Sequence, residues 1–149
     1  MSTGKVNLDK FEIASGDESH YDGIMPLFTS PEEFYLIYPA GTWPFDKAQL
    51  ERLSRERSDF TVVLDNGQVI GFANLYTSIA GDRYFIGNLV ISDAYRGQGI
   101  GRRLVRHMCD RIFDRYASLG FKPYDIERRS MPNGDNAALL HMRLDARSW

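Results

Sequence analysis

The sequence predicts a domain of the α/β (α+β) class. Helix-capping signals and apolar residues at helical spacing mark residues 31–38, 47–57 and 102–116. Between residues 60 and 91 the pattern becomes extended, with three short apolar segments separated by turns. A glycine-rich turn joins the last of these segments directly to the third helical segment. All 149 residues are expected to form a single domain, residues 1–149.

Composition limits the class of protein. Hydrophobic residues make up 43% of the chain and charged residues 26%, which is ordinary for a soluble globular protein. The net charge of −2 gives no overall attraction to nucleic acid. Because Cys109 is the single cysteine, an intramolecular disulfide is impossible, and we expect a reducing, cytoplasmic location. No apolar run has the length of a signal peptide core or a membrane span, so neither secretion nor a membrane partner is expected.

Two short elements are expected first. Alternation at residues 11–14 predicts a strand, and Asp17 or Ser19 is a candidate cap for a brief helix that ends near Leu27.

Two better-marked helices follow. Ser30, with proline next and Glu33 three positions on, is typical of a helix start, and Pro39 should end that helix. Asp46 is expected to cap the next helix, residues 47–57. Its apolar positions are Ala48, Leu50 and Leu53.

The extended region predicts an antiparallel hairpin and a third strand. Residues 60–64 and 69–76 flank the dipeptide Asn66-Gly67, which favours a tight hairpin turn. Residues 84–91 form the next apolar, β-branched and aromatic segment, which predicts a buried strand.

The turn after this strand, residues 96–101, contains three glycines and precedes the helix predicted over residues 102–116. That helix carries apolar positions on one stripe, namely Leu104, Val105, Met108, Ile112 and Phe113. The first N–H groups of a helix lack intrahelical partners, and the helix dipole adds partial positive charge there. The turn is therefore suited to a phosphate or pyrophosphate. No Gly-Lys-Ser/Thr follows, which excludes a Walker loop, and Leu104 stands where a dinucleotide-binding fingerprint needs its third glycine. A purely structural glycine turn remains the alternative.

The pattern Arg96-x-x-Gly99-x-Gly101 resembles the acetyl-CoA-binding motif of the GNAT superfamily of N-acetyltransferases. The resemblance extends through the flanking residues 90–95 and 102–104. Further stretches are similar to one bacterial subgroup, namely Tyr38-Pro39, Trp43-Pro44-Phe45, residues 71–74 and residues 119–124. This resemblance implies a mixed, mostly antiparallel sheet flanked by helices.

The resemblance also implies a function and a set of binding residues. The expected reaction transfers an acetyl group from acetyl-CoA, as co-substrate, to a primary amine of a small molecule or peptide, and no metal is expected. The alternative is a catalytically silent CoA-binding or assembly module. The edge of the fourth strand should hydrogen-bond the pantetheine arm and polarise the thioester oxygen, while the turn holds the pyrophosphate. The cofactor-binding residues expected are Leu89, Val90, Ile91, Arg96, Gly97, Gln98, Gly99, Ile100, Gly101 and Arg102.

No catalytic acid or base is assigned. The predicted fourth strand contains no carboxylate, and Asn88 can orient a water but cannot act as a base. Tyr116 and His141 are the candidates for a general acid, and the more favoured role of Tyr116 is packing. On the acceptor side, four aromatic residues would suit an aliphatic amine. These are Tyr35, Tyr38, Trp43 and Phe45.

The C-terminal third departs from the family pattern. Alternation in residues 137–144 and the turn at 132–135 favour a closing hairpin, so a strand–helix unit is inferred to be missing. A competing alignment makes residues 136–141 the family's fourth helix. Because the missing strand would leave the fourth strand unpaired, we expect a homodimer.

Overall fold

The computed structural model describes residues 8–77, 84–118, 121–130 and 136–144. The main elements, in chain order, are β1 (Phe11–Ser15), α1 (Tyr21–Ile24), α2 (Pro31–Ile37), α3 (Lys47–Glu56), β2 (Ser58–Asp65), β3 (Gln68–Thr77), β4 (Tyr84–Ile91), α4 (Ile100–Ser118), β5 (Phe121–Ser130) and β6 (Asn136–Leu144). Strands β1 to β4 form one antiparallel sheet in the order β1-β2-β3-β4. The predicted α/β class, with a mostly antiparallel sheet and flanking helices, is confirmed.

The predicted caps are confirmed at two helices. The Ser30 hydroxyl accepts a hydrogen bond from the Glu33 N–H at 3.2 Å, at the start of α2. The Asp46 carboxylate accepts one from the Gln49 N–H at 3.0 Å, at the start of α3. Each such bond contributes about 1 kcal/mol, because it satisfies a helix N–H that has no intrahelical acceptor.

Asp17, rather than Ser19, caps the brief helical segment that precedes the first well-marked helix. Its side chain accepts from the Ser19 N–H at 2.9 Å, at the start of a 3₁₀ turn (Glu18–His20) that continues into α1.

The hairpin between β2 and β3 also forms as predicted. Asn66 and Gly67 have φ values of 49° and 82°, the left-handed pair that a type I′ turn requires. Such a turn matches the right-handed twist of the flanking strands, which explains why two residues suffice to reverse the chain.

The main core lies between the sheet and helices α1, α2 and α3. It is built from fully buried residues, among them Ile24, Phe34, Leu50, Leu53, Val62 and Phe72. One of the three apolar positions of α3 lies outside the core: Ala48 is exposed and its polar neighbour Gln49 is buried. The cause is tertiary, because the Gln49 amide bonds Thr42 and Pro44 in the preceding loop.

Helix α4 begins two residues before its predicted start and ends two after its predicted end. Its buried stripe is formed by Ile100, Leu104, Met108 and Ile112, which recur at a spacing of four. Val105 and Phe113, predicted on the same stripe, are 38% and 41% exposed. The stripe is therefore narrower than the sequence pattern indicated.

The chain divides into two compact units, Met1–Met108 and Cys109–Trp149. In the second unit, β5 and β6 pair antiparallel as a separate two-stranded sheet. The predicted closing hairpin is thus confirmed, and the competing helix over residues 136–141 is wrong. The predicted turn at 132–135 and the dipeptide Leu119-Gly120 lie outside the described residues. None of the helices in the described ranges has the length and hydropathy needed to cross a bilayer.

Candidate functional site

The turn between β4 and α4 adopts a conformation that requires glycine at two positions. Gly97 and Gly99 have φ values of 79° and 86°, a left-handed backbone that other residues adopt only with strain. A Cβ placed on Gly97 would meet no atom within 4 Å. The described residues therefore leave space on that side of the turn for an approaching group.

The first N–H groups of α4, next to this turn, have no acceptor within the helix. The first backbone bond of the helix runs from the Arg103 N–H to the Gly99 carbonyl at 3.1 Å. The N–H groups of Ile100, Gly101 and Arg102 precede that bond and have no intrahelical acceptor. Together with the dipole of a 19-residue helix, they favour an anion at this position.

Arg96 is engaged with the protein in three directions. Its Nε–H donates to the Ile91 carbonyl at 3.0 Å, and its two terminal nitrogens lie 2.6 Å from Glu33 and 2.7 Å from Asp93. The pKa of Arg96 is raised, first by the hydrogen bond to Glu33. In this structure the guanidinium joins the end of β4, the turn and α2, and its predicted contact with phosphate remains a prediction.

A second anchor holds the start of the same turn. The Tyr95 hydroxyl donates to Asp65 Oδ2 at 2.7 Å, and this bond raises the pKa of Tyr95. The Tyr95 ring packs edge-on against Phe11, with centroids 5.9 Å apart. The Arg103 guanidinium donates to the Phe11 carbonyl at 3.0 Å, whereas Arg102 is exposed. The bond between Tyr95 and Asp65 could not be predicted from the sequence, because nothing local links residues thirty positions apart.

Strand β4 lies at the edge of the four-stranded sheet, since β3 is its sole neighbour there. Its register against β3 shifts between Phe72 and Asn74, so an extra β4 residue forms a bulge at Asn88 and Leu89. Asn88 has a φ of 50°. Of the three residues predicted to meet the pantetheine arm, Leu89 belongs to the bulge, and Val90 and Ile91 follow directly after it on the edge strand.

The four aromatic residues predicted on the acceptor side separate into two pairs. Tyr38 and Phe45 are 4% and 8% exposed and belong to the main core, so they cannot line an open wall. Tyr35 is 44% exposed, and its hydroxyl accepts from the Trp43 N–H at 3.1 Å. Tyr35 and the half-buried Trp43 are the members of the set that a ligand can reach.

The proton-transfer candidates lie beyond the described side chains. Tyr116 falls within α4 and His141 within β6, but the structure describes neither side chain. Burial raises the pKa of the Cys109 thiol, which disfavours the reactive thiolate. Among the described residues, no cluster of His, Cys, Asp or Glu has the make-up of a metal site.

Comparison with protein-family models matches residues 21–126 to the acetyltransferase (GNAT) family. The matched range contains the turn, β4 and all of α4. A comparison with curated proteins gave no match.

Solved structures share the fold at low sequence identity. The ribosomal-protein-S18-alanine N-acetyltransferase of Escherichia coli is 20% identical with a TM-score of 0.52, over 90% of this chain and 92% of that one. A putative acetyltransferase of Salmonella typhimurium, solved with its cofactor acetyl-CoA, is 17% identical with a TM-score of 0.52, over 92% and 95%. The N-acetylglutamate synthase of Neisseria gonorrhoeae, solved with coenzyme A and N-acetyl-glutamate, is 19% identical with a TM-score of 0.53 over 77% of this chain. This chain spans 29% of that synthase.

Proposed function

Since this chain belongs to the acetyltransferase (GNAT) family, we propose that it transfers an acetyl group from acetyl-CoA to a primary amine of a small molecule or peptide. The observation that carries the proposal is the placement of three helix N–H groups without an intrahelical acceptor, at Ile100, Gly101 and Arg102, behind two left-handed glycines. The start of the turn is held by the hydrogen bonds of Tyr95 and Arg96.

The residues present fit coenzyme A. The N–H groups at the start of α4 would hold the pyrophosphate, because both the hydrogen-bond donors and the helix dipole favour an anion there. The edge of β4 at residues 89–91 offers backbone groups to the amide-bearing pantetheine arm, in the manner of an added strand. When bound, acetyl-CoA supplies an activated acetyl thioester. A backbone N–H beside the bulge would polarise its carbonyl oxygen.

The acceptor proposed is an amine because of the exposed aromatic surface near the loop after α2. Tyr35 and Trp43 present ring faces that attract an ammonium group or its alkyl chain. A peptide acceptor has support from the Escherichia coli neighbour, which acts on the alanine of a ribosomal protein according to its name. We therefore place small amines and peptides with a free N-terminus together in the acceptor class.

The rival function is a catalytically silent CoA-binding module. It is favoured by one observation, that β4 contains no carboxylate that could accept a proton from the amine. Both functions require CoA binding at the turn, and they differ in turnover.

A homodimer belongs to the same proposal. It rests on β4, which pairs on one side within its sheet. Its residues before the bulge, 84–87, have backbone groups that a second chain can pair with, and residues 89–91 remain available to the pantetheine arm. The partner would be a second copy of this chain, related by a symmetric contact.

The deciding experiment measures release of free thiol from acetyl-CoA in the presence of polyamines, amino acids and peptides with free N-termini. Mass spectrometry then identifies the acetylated product. We expect acetyl transfer to at least one primary amine and none in the variant Gly99→Glu. Tight CoA binding without transfer to any member of the panel would favour the silent module.

A further inference from the structure

A buried chain of side-chain amides joins α2, β4 and β3. The Asn88 Nδ2 group donates to the carbonyl of Ile37, the last residue of α2, at 3.0 Å. The Asn74 Nδ2 group, on β3, donates to Asn88 Oδ1 at 2.8 Å. Asn74 is completely buried and Asn88 is 7% exposed. Two buried asparagines in one sheet are an uncommon arrangement, since such groups lose their bonds to water.

The carbonyl of Ile37, at one end of this series of amides, fixes the direction of the hydrogen bonds. The Ile37 carbonyl can only accept, so Asn88 must turn its nitrogen toward α2 and its oxygen toward Asn74. Asn74 must then offer its own nitrogen. Its oxygen, Oδ1, is left buried with no hydrogen-bond partner. A buried acceptor without a donor destabilises the fold, and such a group calls for an explanation beyond packing.

The amide chain lies at the β4 bulge. Asn88 is the residue with left-handed φ at this bulge, and asparagine tolerates that conformation better than most residues. Gly87, just before it, has no room for a side chain, because a Cβ there would lie 2.8 Å from Asn74 Oδ1. The amide pair therefore restricts the position before Asn88 to glycine.

We propose that Asn88 and Asn74 are positioning residues, which hold the β4 bulge and thereby direct the backbone of residues 89–91 toward the acetyl thioester. This inference rests on the proposed function. The bond to Ile37 also ties the end of α2, which carries Tyr35, to the same point of β4. The two sides of the site, one for the thioester and one for the amine, are thus joined through a single side chain.

The test compares two asparagine-to-glycine variants. Asn88→Gly keeps a residue that accepts left-handed φ but removes the amide. Asn66→Gly makes the same change at a φ of 49° in the exposed hairpin turn, and it serves as the matched control. Both are assayed well below their unfolding temperatures for kcat, KM and the Kd of CoA. For Asn88→Gly we expect kcat to fall about 10–100-fold, because small misplacement of reacting groups has effects of that size.

The Kd of CoA should change little in Asn88→Gly, since the turn at 96–101 is untouched, and Asn66→Gly should match the wild type in every constant. A folded Asn88→Gly with wild-type kcat would overturn the inference and leave the amide pair a purely structural feature. If Asn88→Gly does not fold, Asn74→Ala, which retains the bond between Asn88 and Ile37, takes its place with the same expectations.

A second readout separates this inference from the proposed function. The infrared stretch of an isotope-labelled acetyl carbonyl reports how strongly bound acetyl-CoA is polarised, whether or not an acceptor reacts. We expect the carbonyl frequency of acetyl-CoA bound to the wild-type protein to be lower than that of acetyl-CoA in solution. On Asn88→Gly the frequency should shift back toward the solution value. If the wild type binds acetyl-CoA but transfers the acetyl group to no amine, the proposed transfer activity fails. The positioning role is overturned separately, if the carbonyl frequency is the same on the wild type and on Asn88→Gly.

Discussion

Replacing Arg96 with lysine tests whether this residue anchors the turn or binds phosphate. Lysine retains the positive charge, but its single ammonium group cannot reproduce the geometry of the guanidinium. Arg96 reaches the Ile91 carbonyl at 3.0 Å, Glu33 at 2.6 Å and Asp93 at 2.7 Å, from three different nitrogens. Arg96→Lys therefore breaks at least two of the three contacts.

The expected loss of stability follows from these contacts. The Arg96 side chain is 46% exposed, so each ion pair contributes only about 0.2–1 kcal/mol. The bond to the Ile91 carbonyl contributes about 1 kcal/mol. If all three contacts are lost, the sum is about 1.5–3 kcal/mol, which lowers the melting temperature of a chain of this size by about 3–12 °C. Loosening of the turn should also weaken CoA binding by about 10-fold, equivalent to about 1.4 kcal/mol.

Thermal unfolding and calorimetric titration with CoA measure both effects, and Glu33→Asp separates the two roles. Glu33→Asp keeps the charge and shortens the side chain, so it breaks the contact with Arg96 without altering the charge near the phosphates. If Arg96 is an anchor, Glu33→Asp weakens CoA binding, while Glu32→Asp at the exposed neighbouring position does not. If Glu33→Asp instead tightens CoA binding, the guanidinium is released to bind phosphate and the anchor account is refuted.

Three further predictions concern the turn, its second anchor and the assembly. Gly101 has no left-handed φ, and a Cβ there would lie 3.7 Å from Ile91, so Gly101→Ala should preserve both the fold and the Kd of CoA; a loss of more than about 10-fold, or about 1.4 kcal/mol, would contradict this. The pKa of Tyr95 is raised by its bond to Asp65, so this bond stabilises the fold fully at pH values below about 10, the ordinary tyrosine pKa. The stabilisation is lost as the pH rises through the higher pKa that Tyr95 has in the folded protein. Tyr95→Phe should therefore be less stable than the wild type at neutral pH, with a difference that narrows in alkaline denaturation series; a constant difference would argue against the bond. Light scattering at micromolar concentration should give twice the mass of the chain, and a folded monomer would rule out the dimer.

Elements set by local signals could be predicted from the sequence. The caps at Ser30 and Asp46, the Asn66-Gly67 turn and the bounds of β4 each depend on residues within a few positions of one another. The glycine turn belongs to the same group, because left-handed backbone at Gly97 and Gly99 is a property of that residue type.

Features that depend on distant contacts could not be predicted. Gln49 is buried because the loop before α3 needs its amide, and periodicity alone favoured Ala48. Arg96 meets Glu33 across 63 positions, and no pattern links the two. Tyr38 and Phe45 were predicted to line an amine site, yet they are buried in the main core.

The buried amide chain could be predicted from the sequence only in part. Asn88 interrupts an apolar strand, and a buried polar residue in such a place requires a partner. The identity of the partner, Asn74, and the bulge that brings the two together depend on the register between β3 and β4, which the sequence does not specify by itself.

Calorimetric titration of acetyl-CoA into the wild-type protein and the variant Gly99→Glu tests the central claim most directly. Glutamate at position 99 combines strain at a φ of 86° with a negative charge beside the N–H groups that should hold the pyrophosphate. Circular dichroism first establishes that the variant is folded. The account predicts binding to the wild type and no detectable binding to folded Gly99→Glu. Equal affinity of the two proteins would contradict it, because the turn would then not be where acetyl-CoA binds.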